Sequence, residues 1–287
     1  MSVSQKIAIT IRKDVIVGKA GQRDLRGDLY LPSHEVADRP AIVILHGGGW
    51  RKGSPNGVRG FGIRLSEAGF VCLCVDYRLT PEARWPAQIE DSKCAIRYLR
   101  AHRRDLRIDS ERIGVLGDSA GGHLALMAGV VSDFEGTGGH TEFPSTPQAI
   151  CAMYPHSQIG RTSDAADRLI GREASAAACD AASPISYDLA DFPPSLLIHG
   201  AEDAAVPFTE STDFHQKLLS NRRVTELHLF AGQGHAFDRQ SSSQPGMVDI
   251  ADPSAIYGPV ILEIIRLFFN KYLSNPHASP SARNASK

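Results

Sequence analysis

Three residues set far apart in this chain have side chains that together perform nucleophilic chemistry: Ser119, Asp203 and His235. A serine hydroxyl is a weak nucleophile. It needs an imidazole to take its proton, a carboxylate to orient the imidazole, and N–H donors where negative charge develops. Ser119 lies in Gly117-Asp118-Ser119-Ala120-Gly121-Gly122-His123. Small residues two places either side of it let a strand and a helix approach closely around a strained turn, which thrusts the hydroxyl outward. The base must be a histidine on a loop at the same sheet edge. His235, in Ala231-Gly232-Gln233-Gly234-His235-Ala236-Phe237, follows the last predicted strand and comes after both the serine and an acid. The acid comes from His199-Gly200-Ala201-Glu202-Asp203, with Asp203 favoured and Glu202 the alternative. Oxyanion donors are expected from the backbone of Ala120 and from the loop His46-Gly47-Gly48-Gly49-Trp50, whose glycines permit neighbouring N–H groups to point at one site.

Positioning these groups requires a particular scaffold. Ile7 to Val17 and Leu25 to Leu31 read as an edge hairpin around Gly18-Lys19-Ala20-Gly21. Continuous apolar runs of strand length follow at 41–45, 70–75, 112–116, 149–154, 195–199 and 224–230. Helical stretches alternate with them: one ending near Gly69, then 89–102, 124–131, 209–219 and 256–273. Such a pattern predicts an α/β fold, a mostly parallel sheet with helices on both faces. Ligands then bind outside the carboxyl ends of the strands, which puts loops 46–56, 76–88, 117–121, 155–192, 200–208 and 231–255 on the active edge. The loop 132–148 falls on the opposite edge, which disqualifies His102 and His140. Segment 157–192 breaks the alternation; it is Ala-, Ser- and Asp-rich, with a short helix predicted near Asp164 to Ile170. It reads as a small lid on a single domain spanning 1–273, and 274–287 as a mobile polar tail.

The other histidines near the active edge read differently. His46 and His123 suit structural hydrogen bonds, His199 orders the loop after its strand, and His156 opens the lid as a substrate contact. Trp50, beside the glycine loop, and Trp85, on the loop after the next strand, are candidate walls of a substrate pocket.

Composition narrows the partners. The 287 residues carry 31 basic and 32 acidic side chains, a formal net charge of −1, without long single-sign runs. Neither nucleic acid nor an anionic membrane is an expected partner. The five cysteines, Cys72, Cys74, Cys94, Cys151 and Cys179, contain no C-x-x-C and sit largely in apolar runs, as core residues of a reducing compartment do. The amino-terminal residues show no apolar signal region, so a cytoplasmic location is expected.

The HGGGW loop, the GDSAGGH turn, His199-Gly200-x-x-Asp203-x-x-Val206-Pro207 and Gly234-His235-Ala236-Phe237 together resemble the hormone-sensitive-lipase-like esterases, and especially their compact acetyl-xylan/feruloyl-esterase-like branch. Asp76-Tyr77-Arg78-Leu79, Pro86 and Asp91 resemble that group's segment after the second core strand. The chain order Ser, Asp, His is also that of α/β-hydrolases. The resemblance covers about residues 25–272. It implies an α/β-hydrolase fold with Ser119, Asp203 and His235 as triad, backbone N–H groups of Gly48, Gly49 and Ala120 as oxyanion hole, and no metal or organic cofactor. A small-molecule ester of short acyl length is the implied substrate. Relatives with a large helical cap carry it ahead of the HGGG strand; here that region reads as strands, which leaves 157–192 and 238–255 to roof the site. The oligomeric state stays open, a homodimer through an exposed last strand or helix being an arrangement this fold often uses. Two other functions bear on the same motifs. An arylformamidase acting on N-formylkynurenine shares an HGG-x-W loop but usually lacks the third glycine. A binding protein of hydrolase fold commonly loses the serine or the histidine, and both are present here.

Overall fold

The structure is a computed structural model that describes residues 7–33, 37–241 and 247–273. The predicted tail 274–287 and the first six residues lie outside the described residues. Eight strands form one sheet: β1 (Ile9–Ala20), β2 (Arg23–Pro32), β3 (Arg39–Leu45), β4 (Val71–Val75), β5 (Ile108–Asp118), β6 (Ala149–Met153), β7 (Ser195–Gly200) and β8 (Thr225–Phe230). Helices α1 (Arg59–Glu67), α2 (Ala87–Ala101), α3 (Arg103–Leu106), α4 (Ala120–Gly129), α5 (Asp164–Leu169), α6 (Ala176–Ala181), α7 (Thr209–Ser220) and α8 (Gly258–Leu273) connect or follow them.

The spatial order is β1-β2-β4-β3-β5-β6-β7-β8. The β1–β2 and β2–β4 pairs are antiparallel; all pairs from β4 to β8 are parallel. Alternation along each parallel strand divides its side chains between two apolar layers. Ala41, Val43 and Leu45 of β3 face one layer with Ile96, Leu124 and Phe214 from α2, α4 and α7. Ile42 and Ile44 face the other, with Phe61 and Leu65 of α1 and Ile261 and Ile265 of α8. Burial on both faces is why these strands are continuously apolar. In α8, Ile261, Ile265, Phe268, Phe269 and Leu273 are buried, a spacing of three and four that marks one helical face.

After β3 the chain moves outward to β4, then returns across β3 to form β5 on its other side. The neighbours β3 and β5, paired as far as Leu45 and Gly117, are therefore the topological switch point where such sheets open a crevice. Loop 46–56 leaves one and Ser119 follows the other.

Three local readings differ from expectation. The hairpin turn is tighter than predicted, because β1 runs on through Gly18 to Ala20: the Lys19 N–H donates to the Gly138 carbonyl (2.7 Å), holding that stretch extended. The same contact shows that loop 132–148 is not confined to the far edge. It climbs along α2, where Glu135 pairs with Lys93 (2.7 Å) and Arg97 (3.0 Å), and Phe134 reaches the Trp85 ring at 5.3 Å. Segment 157–192 forms two short helices, α5 and α6, and packs its apolar side into the core while Arg168 reaches toward the loop after β3. Leu169, Ala182 and Leu189 are fully buried, because their apolar side chains complete the layer beneath α4.

Candidate active site

The turn after β5 owes its shape to missing side chains. A Cβ on Gly121 would fall 2.1 Å from the Leu45 carbonyl oxygen, and one on Gly117 would fall 2.1 Å from the Gly121 carbonyl oxygen. Strand and helix approach closely enough for Ser119 to be held at φ 53°, ψ −115°, a conformation strained for any side chain. Its N–H donates to the Met153 carbonyl (2.9 Å), anchoring the turn to β6.

The structure brings Ser119, Asp203 and His235 together. The Ser119 hydroxyl donates to His235 Nε2 at 2.9 Å, and His235 Nδ1–H donates to Asp203 Oδ2 at 2.6 Å. Asp203 Oδ1 accepts the N–H groups of Ala205 and Val206, both at 2.8 Å. Burial acts to raise the Asp203 pKa. Hydrogen bonds from His199 and His235 and from the Val206 N–H outweigh it and hold the carboxyl well below the usual carboxylate range. Glu202 is exposed beside it and makes no hydrogen bond or ion pair with His235 among the described residues. The Tyr154 ring packs edge-on against His235 at 4.7 Å.

The loop after β3 has Gly48 at φ 121°, Gly49 at 62° and Trp50 at 59°. A Cβ on Gly48 would lie 2.0 Å from the Lys52 carbonyl, so the loop folds this tightly only around glycine. Ala120 is the first residue of α4, and its N–H has no acceptor within the helix. The loop is braced from three sides. Asp118 Oδ1 accepts the Gly47 N–H (2.8 Å), the Tyr77 hydroxyl donates to the His46 carbonyl (2.7 Å), and the Tyr77 ring stacks on His46 at 4.3 Å. Tyr77 is in turn fixed by its neighbour Arg78, whose side chain donates to both oxygens of the buried Asp91.

Three other histidines near this edge hold structure. His46 Nδ1–H donates to the Gly47 carbonyl (2.8 Å). His123 Nε2–H donates to the Ala182 carbonyl (2.7 Å), pinning the segment after α6 to α4. Burial depresses the His123 pKa to about 4, against that hydrogen bond. His199 donates to the Val206 carbonyl (3.0 Å) and accepts from the Ser211 hydroxyl (2.7 Å), which orders the acid loop.

A cavity of about 850 Å³ opens over Ser119. Loop 46–54, Tyr154, His156 and His235 line it, and Trp50 contributes a wall from a nearly buried position. Trp85 is not among the lining residues. It packs behind the site on His123 (5.6 Å) and Phe134 (5.3 Å), because the tight turn before α2 points its ring at α4. Of segment 157–192, Arg168 lines the cavity, and of 238–255, Arg239 and Met247 do; residues 242–246 of that roof lie outside the described residues.

The sequence reading missed several residues. Arg239, four positions after His235, donates to Asp118 Oδ2 (2.9 Å) and lies 3.5 Å from Asp238. Asp238 is fully buried and accepts from the Tyr154 hydroxyl (2.7 Å). Asp118 stood inside a recognised motif, so its role was within reach; Arg239 and Tyr154 carried no pattern of their own. All five cysteines are buried and unpaired. Among the described residues no group of three or more His, Cys, Asp or Glu is placed to hold a metal ion, and no helix is long and apolar enough to cross a membrane.

Residues 27–218 match the BD-FAE family. Esterase LipC of Mycobacterium tuberculosis is 31% identical over 226 residues, which cover 72% of this chain and 55% of LipC. The chain thus spans little more than half the length of that relative. Among solved structures, Thermogutta terrifontis esterase 2 phosphoramylated by tabun superposes with a TM-score of 0.79 at 27% identity, covering 92% of this chain and 96% of that one. The propionate-bound form of the Thermogutta terrifontis esterase gives 0.77 at 26% identity, over 96% and 98%. An α/β-hydrolase sheet, a serine on the turn after its fifth strand and a family match across two-thirds of the residues agree: this chain belongs to the BD-FAE family.

Proposed function

We propose that the protein is a serine carboxylesterase that hydrolyses short-acyl esters through an acyl-serine intermediate. The observation that carries this reading is the unbroken chain from Ser119 Oγ through both nitrogens of His235 to Asp203, at 2.9 and 2.6 Å. As Ser119 Oγ bonds to the ester carbonyl carbon, its proton passes to His235 Nε2. Asp203 fixes the imidazole tautomer and stabilises the imidazolium. The carbonyl oxygen takes up negative charge beside the N–H groups of Gly48, Gly49 and Ala120, donors set in advance by the bracing of the loop. Collapse of this intermediate breaks the ester C–O bond, and His235 returns the proton to the departing alcohol. Water then attacks the acyl-serine, losing a proton to His235; the acyl C–Oγ bond breaks as His235 returns that proton to Ser119 Oγ, and the carboxylic acid leaves.

The short-acyl limit is supported by Trp50, a bulky wall beside the glycine loop, and by a solved relative named for bound propionate. A rigid aromatic stops an overlong chain sterically, a larger penalty than the 1–3 kcal/mol typical of one methylene. Two measurements test the proposal. Mass spectrometry after a fluorophosphonate inhibitor should place the adduct on Ser119; label on another serine overturns the assignment. Values of kcat/KM for p-nitrophenyl acetate, butyrate, octanoate and palmitate should peak at acetate or butyrate, and a maximum at octanoate or beyond overturns the acyl limit.

A further inference from the structure

The charged residues that line the cavity do not balance. Its lining carboxylate, Asp118, is engaged by Arg239 at 2.9 Å and by the Gly47 N–H. That leaves Arg51, Lys52 and Arg168 on the wall without a carboxylate among the lining residues to answer them. Arg51 and Lys52 have no ion-pair partner among the described residues. Arg168 has only Asp164 at 3.5 Å, a side chain 93% exposed, and a pair so open to water is worth little. Arg168 also lies close to the reacting centre: a Cβ built on Gly49 would be 3.5 Å from one of its guanidinium nitrogens. Outside the cavity the positive surface continues. A smaller hollow of about 180 Å³ shares Arg51 and Arg168 and adds Arg84 and Arg172 around a single carboxylate, Asp167. In a chain of formal net charge −1 this is a local concentration of charge, not a general basic character.

We propose that the ester hydrolysed here carries an anionic group, a carboxylate or phosphate, received by Arg168 with Arg51 and Lys52 a few bonds from the scissile carbonyl. A guanidinium matches either anion with paired N–H donors, and a cleft lined by one sign of charge also raises the encounter rate of an opposite charge. This inference rests on the esterase reading of Ser119 and is tested separately from it.

The test compares charged and neutral esters of matched size: 4-nitrophenyl hemiglutarate against 4-nitrophenyl valerate for an anion on the acyl side, and 4-acetoxybenzoate against its methyl ester for one on the alcohol side. In the wild type, kcat/KM should favour the charged member of at least one pair. Arg168→Gln should lower that charged-to-neutral ratio by about tenfold, the scale of one charge-assisted hydrogen bond, and Arg51→Gln should lower it further. Raising the salt concentration should lower the same ratio in the unmutated protein, which needs no variant to fold. Inhibition of valerate hydrolysis by glutarate or by inorganic phosphate identifies which anion is received. If valerate and the methyl ester are hydrolysed while both ratios stay within twofold under substitution and salt, the anionic substrate is refuted and the esterase stands. The same result applies if Arg168→Gln slows both members of a pair equally, since Arg168 would then serve the oxyanion. If no ester is hydrolysed, both readings fall.

Discussion

Two histidine–carboxylate pairs face the same cavity. His235 donates to Asp203 at 2.6 Å, and His156 donates to Glu210 at 3.2 Å. Both carboxylates also accept backbone N–H groups: Asp203 from Ala205 and Val206, Glu210 from Ser157 and Gln158. In both, burial acts to raise the pKa and the hydrogen bonds outweigh it. The pairs differ in what lies beyond the imidazole. His235 meets a hydroxyl on a strained turn, whereas His156 lies against the Trp50 ring at 5.4 Å. A carboxylate and an imidazole thus make an acid–base relay only when a proton donor waits at the second ring nitrogen. Without one, the same pair is a rivet at the start of a loop.

Substitutions separate the two pairs, and the largest effect belongs to the hydroxyl. Ser119→Ala removes the group that defines the first pair, and kcat should fall roughly 10⁶-fold with the thermal transition intact. Retained turnover in a steady-state assay refutes the relay. Asp203→Asn should cost up to about 10⁴-fold in kcat, because the amide favours the wrong tautomer of His235. Glu202→Gln, beside it but exposed, should change kcat less than threefold; a reversal of the two losses would move the acid by one residue. Trp50→Ala, at the second pair, should raise the octanoate-to-butyrate ratio of kcat/KM roughly tenfold, although the loss of a buried indole lowers stability by about 3–5 kcal/mol. An equal loss on every ester would assign Trp50 to supporting the glycine loop.

Glu210→Gln should have the smallest effect on turnover, within threefold, and should act on stability instead. Its pKa is lowered from the ordinary 4.5 in the folded protein, so its stabilisation is present above that value and is lost as pH falls through the lowered one. The difference in Tm between wild type and Glu210→Gln should therefore be fully developed near pH 7 and shrink below about pH 4.5. A difference independent of pH would mean that the backbone N–H contacts, and not the charge, matter.

The parallel sheet was legible because burial on both faces forces continuous apolar runs, and the Ser119 turn because close approach forces glycine at fixed offsets. Chain order and loop position put His235 and Asp203 at one sheet edge, where the structure sets them in contact. What lay beyond reading was whatever depends on contacts across the fold. Trp85 occupies the expected loop, yet its ring turns toward α4 and meets Phe134, from a loop assigned to the far edge. Segment 157–192 has a lid's composition, but which of its side chains are buried, Leu169, Ala182 and Leu189 among them, depends on contacts with α4 that the sequence does not display. Arg239 gave no signal, because an arginine acquires meaning from the two aspartates it meets.

Asp118 ties two loops together. One of its oxygens holds the Gly47 N–H and the other the Arg239 guanidinium, so the loop that carries the histidine and the loop that carries the glycines share a single hinge pin. Neither can shift to admit a bulky substrate without straining the other. A substrate that widens the cavity would have to displace both at once, so selectivity at this site should appear as a threshold in substrate size, not a gradual decline.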